Sequence, residues 1–212
     1  MCPGHGQHRG VRLQLGDLIG DRRLVTVSGA RKGVGKTALA EILLRNLPHF
    51  AAIKITITDK DVAVTDDERD IMAPSTDTCR MKQSGALKVV WVRSTEDHLH
   101  DSMIVALGKM VPCKGILIEG NSILKHVSPT VAFFVIAPPF DTMKPSRVHA
   151  LKNADIAVIN QVQGMGPDRD LLKRIEDFNP RLTLLRLNLL DPGRPGDDYN
   201  RLLSLLKQRI HD

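Results

Sequence analysis

The chain has 212 residues, is 42% hydrophobic and 25% charged, and carries a formal net charge of +6. That is an ordinary globular composition, long enough for one sizeable core, so a single domain spanning 1–212 is expected. No apolar run approaches the roughly 20 residues needed to cross a membrane, and one Trp, one Tyr and five Phe leave few stacking platforms for nucleic acid.

Residues 1–10 hold Cys2, His5 and His8 among glycines, without the organised spacing of a metal site, and are expected to be a mobile tail. They contain no apolar core of a secretory signal. Cys2, Cys79 and Cys113 share no metal spacing and fit free thiols in a reducing cytoplasm. Residues 11–23 could pack one short element on the core.

Next comes the strongest signal in the chain. An apolar run, Leu24-Val25-Thr26-Val27, leads into Ser28-Gly29-Ala30-Arg31-Lys32-Gly33-Val34-Gly35-Lys36-Thr37, and then into Ala38-Leu39-Ala40-Glu41-Ile42-Leu43-Leu44. Strand, glycine loop, Lys-Thr and helix, in that order, make a phosphate-binding loop in its required context. Glycines let the loop turn its N–H groups around phosphate oxygens, and the helix start adds unpaired donors and a positive dipole. Lys36 supplies a point charge for the outer phosphates, and Thr37 offers a hydroxyl to Mg²⁺. The nucleotide contacts expected here are Gly29, Lys32, Gly33, Val34, Gly35, Lys36, Thr37 and Ala38. The usual leading glycine position holds Ala30, and the glycine stands one residue earlier, at Gly29. Arg31 and Lys32 read as exposed basic residues beside the phosphates, either assisting charge neutralisation or staying solvated.

The helix is expected to stop before Pro48. Residues 51–57 then read as a strand with Ile53, Ile55 and Ile57 on one face and Lys54 and Thr56 on the other. A lysine facing inward needs a partner or a ligand; one at a sheet edge can reach solvent. Residues 59–70 are acidic. They read as a solvated loop, with closure over a substrate or a carboxylate lent to Mg²⁺ as the alternative. Residues 75–84 look like a short helix placing Asp77, Arg80 and Gln83 on one side and ending at Gly85. Residues 87–92 read as a strand. Ser94-x-x-Asp97 is expected to cap a helix reaching Leu107.

Residues 115–120 form an apolar strand that ends in Glu119-Gly120. In open α/β sheets ligands gather at the carboxyl ends of strands, which brings Glu119 to the phosphate loop. There it could orient Mg²⁺ through water or position an attacking group. Further strands are expected at 131–137, 155–160 and 182–187. Loops are expected at 141–145 and 192–195, and helices at 168–178, entered through Pro167, and 198–210. About seven strands alternate with helices, and most are apolar without alternation. The fold class is therefore α/β, three layers, with a mostly parallel sheet covered on both faces.

Four features together resemble known families. The loop Gly-x-x-x-Gly-Val-Gly-Lys-Thr is similar to that of dethiobiotin synthetase. Residues Asp77-Thr78-Cys79-Arg80-Met81-Lys82-Gln83-Ser84-Gly85-Ala86 resemble the Asp-Ser-x-Arg-x-x-Gln-Ala-Gly-Ala segment of molybdopterin-guanine dinucleotide biosynthesis protein B, MobB. Leu117-Ile118-Glu119-Gly120 looks like the Val-Glu-Gly strand end of both, and Lys54 lies where both carry a lysine. The resemblance covers residues 24–120. It implies a P-loop NTPase fold and a site for Mg²⁺ with ATP or GTP. In that site Thr37 and Glu119 would hold the metal, Lys36, Lys54 and Glu119 would serve catalysis, and Arg80 would lie near nucleotide. The chain departs from MobB by following Lys54 with Ile55-Thr56 instead of histidine. Asn160-Gln161-Val162-Gln163 stands where GTPases carry Asn-Lys-x-Asp, but lacks the Lys and the Asp that reads guanine. Asn160 is either a base contact or a strand-end cap. Three functions follow from the resemblance. They are a MobB-type NTP-binding protein with slow hydrolysis and a cofactor-biosynthesis partner, a dethiobiotin-synthetase-type kinase or ligase, and a non-catalytic nucleotide-gated assembly factor. Pairing as a homodimer is implied by analogy.

Overall fold

A computed structural model describes residues 14–138, 143–161, 169–193 and 198–211. The expected tail, Pro167, Gln163 and parts of the two proline-bounded loops lie outside the described residues.

Among the described residues, eight strands form one sheet. They are β1 (Arg23–Gly29), β2 (Phe50–Ile57), β3 (Ala63–Thr65), β4 (Val89–Ser94), β5 (Gly115–Glu119), β6 (Val131–Ile136), β7 (Ile156–Asn160) and β8 (Thr183–Leu187). Their order is β3-β4-β2-β5-β1-β6-β7-β8, and every pairing is parallel except β3 with β4. Helices lie on both faces. One face carries α1 (Leu15–Ile19), α5 (Leu99–Gly108), α6 (Pro145–Lys152) and α7 (Arg169–Phe178). The other carries α2 (Lys36–Arg45), α3 (Glu68–Ile71), α4 (Asp77–Gln83) and α8 (Tyr199–His211). Double cover explains the lack of alternation: all six residues of β6, Val-Ala-Phe-Phe-Val-Ile, are buried. Phe134 packs into one core and Phe133 into the other. Ile53 and Ile55 share the α5 face as expected, while Ile57 emerges at the carboxyl edge.

Five elements depart from the sequence reading. The acidic stretch contains the edge strand β3 and the helix α3, so the sheet has eight strands where about seven were expected. One of its carboxylates is engaged away from the phosphate loop. Asp66 is pinned by Lys88 and Lys109, each at 2.7 Å, near the amino end of β4. α5 begins at Leu99, because the Ser94 hydroxyl bonds Ser102 at 2.9 Å and caps no backbone N–H there. α6, which follows Lys144, is an unexpected helix that buries only Ala150 and Leu151, too little for a helical pattern to stand out. A 3-10 turn, Ser122–Lys125, likewise follows β5 unannounced.

β1 runs through the middle of the sheet between β5 and β6. The carboxyl end of β1 leads into α2, and Glu119 at the end of β5 bonds Thr37 in the first turn of that helix. Cys79 and Cys113 are free thiols, and no helix among the described residues is long and apolar enough to cross a membrane.

Candidate nucleotide site

The loop between β1 and α2 is built on two glycines with distinct duties. A Cβ on Gly29 would meet Val34 Cγ1 at 2.7 Å and Lys36 Cγ at 2.9 Å, so the loop folds back directly over the strand end. This is why the leading glycine stands at 29, while Ala30 is buried and donates its N–H to Val135 O at 3.0 Å. Gly35 has φ +108°, and a Cβ there would lie 2.9 Å from both Asn160 Nδ2 and Leu189 Cδ1. It is the N-cap of α2, whose first N–H groups point out of the helix start. Val34 buries its side chain beneath the loop, so only its main chain is available to a phosphate. Lys32 and Gly33 are exposed at the tip.

Tertiary contacts fix the loop from three sides. Asn121 bridges the strand ends, accepting from Gly29 N at 2.8 Å and donating to Gly29 O at 3.1 Å. Ser28 Oγ donates to Gly120 O at 3.0 Å. Arg31 differs from the exposed basic residue expected: it is half-buried, and its Nη2 donates to Pro138 O at 2.9 Å. Asn160 donates through Nδ2 to Val34 O and accepts at Oδ1 from Leu189 N, both at 3.1 Å. Its buried amide thus ties the strand end to the loop, as the strand-end alternative expects.

Beside the loop, Thr37 Oγ1 donates to Glu119 Oε2 at 2.9 Å. Glu119 is 1% exposed, and its other oxygen accepts from Lys54 Nζ. Lys54 also pairs with Asp77 at 2.7 Å. Register explains the meeting: Lys54 sits opposite Glu119 on β5 and opposite Trp91 on β4, so all three side chains leave the same face of the sheet. Asp77 arrives from the first turn of α4, whose N-cap Thr76 accepts from Cys79 N at 3.2 Å. The structure therefore brings together Lys36, Thr37, Lys54, Glu119 and Asp77. It does not bring Arg80 to them. Arg80 is exposed and pairs with Glu41 of α2 at 2.5 Å, tying α4 to α2, and Gln83 is exposed.

The charges answer one another. Burial lowers the pKa of Lys36, a shift opposed by Glu119 and reinforced by Lys54 and Arg147. Burial also works against Lys54, but the Glu119 and Asp77 carboxylates outweigh it and hold the ammonium above its usual range. Burial would raise Asp77, yet the hydrogen bond and charge of Lys54, helped by Thr37 and Arg80, hold it low. A hydroxyl flanked by the Glu119 and Asp77 carboxyl groups is a hard-oxygen donor set of the kind Mg²⁺ takes when nucleotide phosphates supply the rest. Among the described residues there is no cluster of three or more His, Cys, Asp or Glu that could hold a metal ion.

Asn121, Arg31 and Trp91 were missed as site residues. Only Asn121 carried a usable signal, an amide directly after the Glu119-Gly120 strand end.

No protein-family model matches the chain, and no curated protein matches it. Solved structures do. The hydrogenase maturation factor HypB from Archaeoglobus fulgidus is 16% identical, with a TM-score of 0.53, over 90% of this chain and 91% of that one. HypB from Helicobacter pylori, solved in complex with nickel, is 13% identical, with a TM-score of 0.57, over 90% and 88%. At these identities the likeness establishes the fold, that of P-loop NTPases, and leaves the MobB or dethiobiotin synthetase resemblance unconfirmed.

Proposed function

We infer that this protein binds a nucleoside triphosphate with Mg²⁺ at the Gly29–Thr37 loop and acts on its terminal phosphate. The observation that carries this reading is the Thr37–Glu119 hydrogen bond at 2.9 Å, beside a loop in which a Cβ on Gly29 or Gly35 would collide with neighbouring side chains. Main-chain N–H groups of the loop and of the start of α2 bind the phosphate oxygens, and Lys36 neutralises the outer ones. Thr37, Glu119 and Asp77 are the residues that would hold the metal, and the chemistry it would supply there is neutralisation of phosphate charge. Asp77 is an addition to the two metal residues expected from sequence. Lys54 bridges the two carboxyl groups, pairing with both Asp77 and Glu119. Arg31 and Asn160 position the loop without touching the reacting atoms.

The test is calorimetric titration with ATP and GTP, with and without Mg²⁺, using Lys36→Ala as control. Saturable heat that depends on Lys36 is the expected result. Equal binding by both proteins removes the assignment.

A MobB-type role, with slow hydrolysis, a cofactor-biosynthesis partner and pairing of two copies, is supported by the Asp77-to-Ala86 segment and its placement beside Thr37. Turnover by acceptor transfer, as in dethiobiotin synthetase, is favoured by a different observation. A cavity opens directly beside Lys54 and Asp77. Nucleotide release stimulated by an acceptor separates the two readings.

A further inference from the structure

That cavity has a volume of about 290 Å³ and is lined by Lys54, Thr56, Ser75, Thr76, Asp77 and Trp91, with Thr78 beneath. It matches the lower end of small-molecule sites. It stands at the carboxyl ends of β2 and β4, on the α4 side, and shares Lys54 and Asp77 with the Thr37–Glu119 cluster. Its aromatic wall is fixed: Trp91 Nε1 donates to Thr56 Oγ1 at 3.0 Å, and the Arg93 guanidinium lies 4.6 Å from the ring centroid. Arg93 Nε is buried with no hydrogen-bond partner. The nucleotide-binding reading uses neither Trp91 nor Arg93.

The charge around the cavity depends on what Lys54 is doing. Without ligand, Lys54 is held by two carboxylates, and one of them, Asp77, faces the cavity. An anion entering then meets a neutralised ammonium and a negative wall. Once Asp77 and Glu119 serve a divalent cation, Lys54 is no longer required as their counter-charge. The cavity is then bordered by the released Lys54 ammonium and by Asp77, already compensated, with the Arg93 guanidinium stacked on the ring of its Trp91 wall.

We propose that the Lys54–Trp91 cavity is a second binding site, for a small organic anion with a carboxylate or phosphate monoester group and an unsaturated body, and that it fills only after the metal–nucleotide. This inference rests on the nucleotide-binding reading and names the acceptor class for it. Lys54 is the coupling residue and Arg93 the residue that selects negative charge.

The chain has a single Trp, so its emission reports this wall directly. The full chain is titrated with benzoate, phenyl phosphate and the neutral isostere benzamide. Each titration is run alone and with Mg²⁺ plus saturating non-hydrolysable ATP or GTP analogue, and nucleotide heat is measured in parallel. At least one anion is expected to change Trp91 emission saturably, about tenfold or more tighter with metal–nucleotide present, while benzamide gives no response. The two anion arms separate carboxylate from phosphate recognition. Arg93→Gln is expected to weaken anion binding by about tenfold while leaving nucleotide heat unchanged. Three results overturn the site while the nucleotide reading stands: no saturable anion response with nucleotide bound, equal response to benzamide, or equal affinity with and without metal–nucleotide. Absence of nucleotide heat overturns both.

Discussion

Thr37 and Glu119 are 82 residues apart in the chain and joined by a 2.9 Å hydrogen bond from hydroxyl to carboxylate. The helix that begins in the phosphate loop and the strand that ends beside it are thereby locked at the point where a metal would sit. Thr37→Val keeps the shape and removes the donor. Glu119 is then left with Lys54 as its remaining hydrogen-bond partner in a buried setting, which costs about 1–3 kcal/mol. Urea unfolding should show that loss, and calorimetry should show that Mg²⁺ no longer strengthens nucleotide binding.

Gly35 and Gly33 make an internal comparison. Both have positive φ, +108° and +74°, but only Gly35 has neighbours where a Cβ would go. Gly33→Ala carries the backbone cost alone, about 1–2 kcal/mol. Gly35→Ala adds a collision with Asn160 and Leu189, so it should lower the melting temperature further and abolish triphosphate binding. Thermal unfolding and nucleotide titration of the two variants, side by side, check this.

Asn160 distinguishes loop support from base reading. Asn160→Ala removes the ties to Val34 O and Leu189 N. Stability should fall by about 1–3 kcal/mol. ATP and GTP affinities should fall by the same factor, because the phosphate cradle they share is loosened. A change in the ratio of the two dissociation constants would instead assign Asn160 to the base.

Glycine loop, Lys36-Thr37, Glu119 and Lys54 were legible in the sequence because each is marked locally. The loop has its spacing, and the other two stand on apolar strands where charge is conspicuous. The parallel sheet was legible for the same reason, since β5, β6 and β7 are continuous apolar runs. β3 was not, because three half-buried residues inside an acidic stretch carry no periodicity. Ser94 misled because a Ser-x-x-Asp pattern says nothing about which donor the hydroxyl will meet, and Ser102 won. Arg80 misled because its neighbour across the helix pair, Glu41, is distant in sequence. Arg31 and Trp91 owe their roles to Pro138 and Thr56, contacts that no local pattern announces.

Asp66 should give the protein an acid-sensitive clasp. Its hydrogen bonds to Lys109 and Lys88 hold its pKa at about 2. A carboxylate depressed in the folded state contributes stability above its unfolded value, near 4, and loses it as pH falls toward 2. Asp66→Asn should therefore destabilise by about 1 kcal/mol at pH 7. The difference from wild type should shrink to nothing as pH falls through that window, as read by urea midpoints across pH. A difference that persists at pH 2 would show that the clasp does not depend on charge.

β3 and β8 have a shared consequence for how copies of this chain meet. One margin of the sheet is a three-residue antiparallel strand followed by acidic chain. At the other, the backbone of Arg186 is already engaged, its N–H by Asp198 Oδ2 at 2.8 Å and its carbonyl by Asp198 N at 3.0 Å. A rim strand this short and a rim strand already engaged at its centre are both poor templates for a neighbouring strand to extend. Crowded copies are thus steered away from fibre-like stacking.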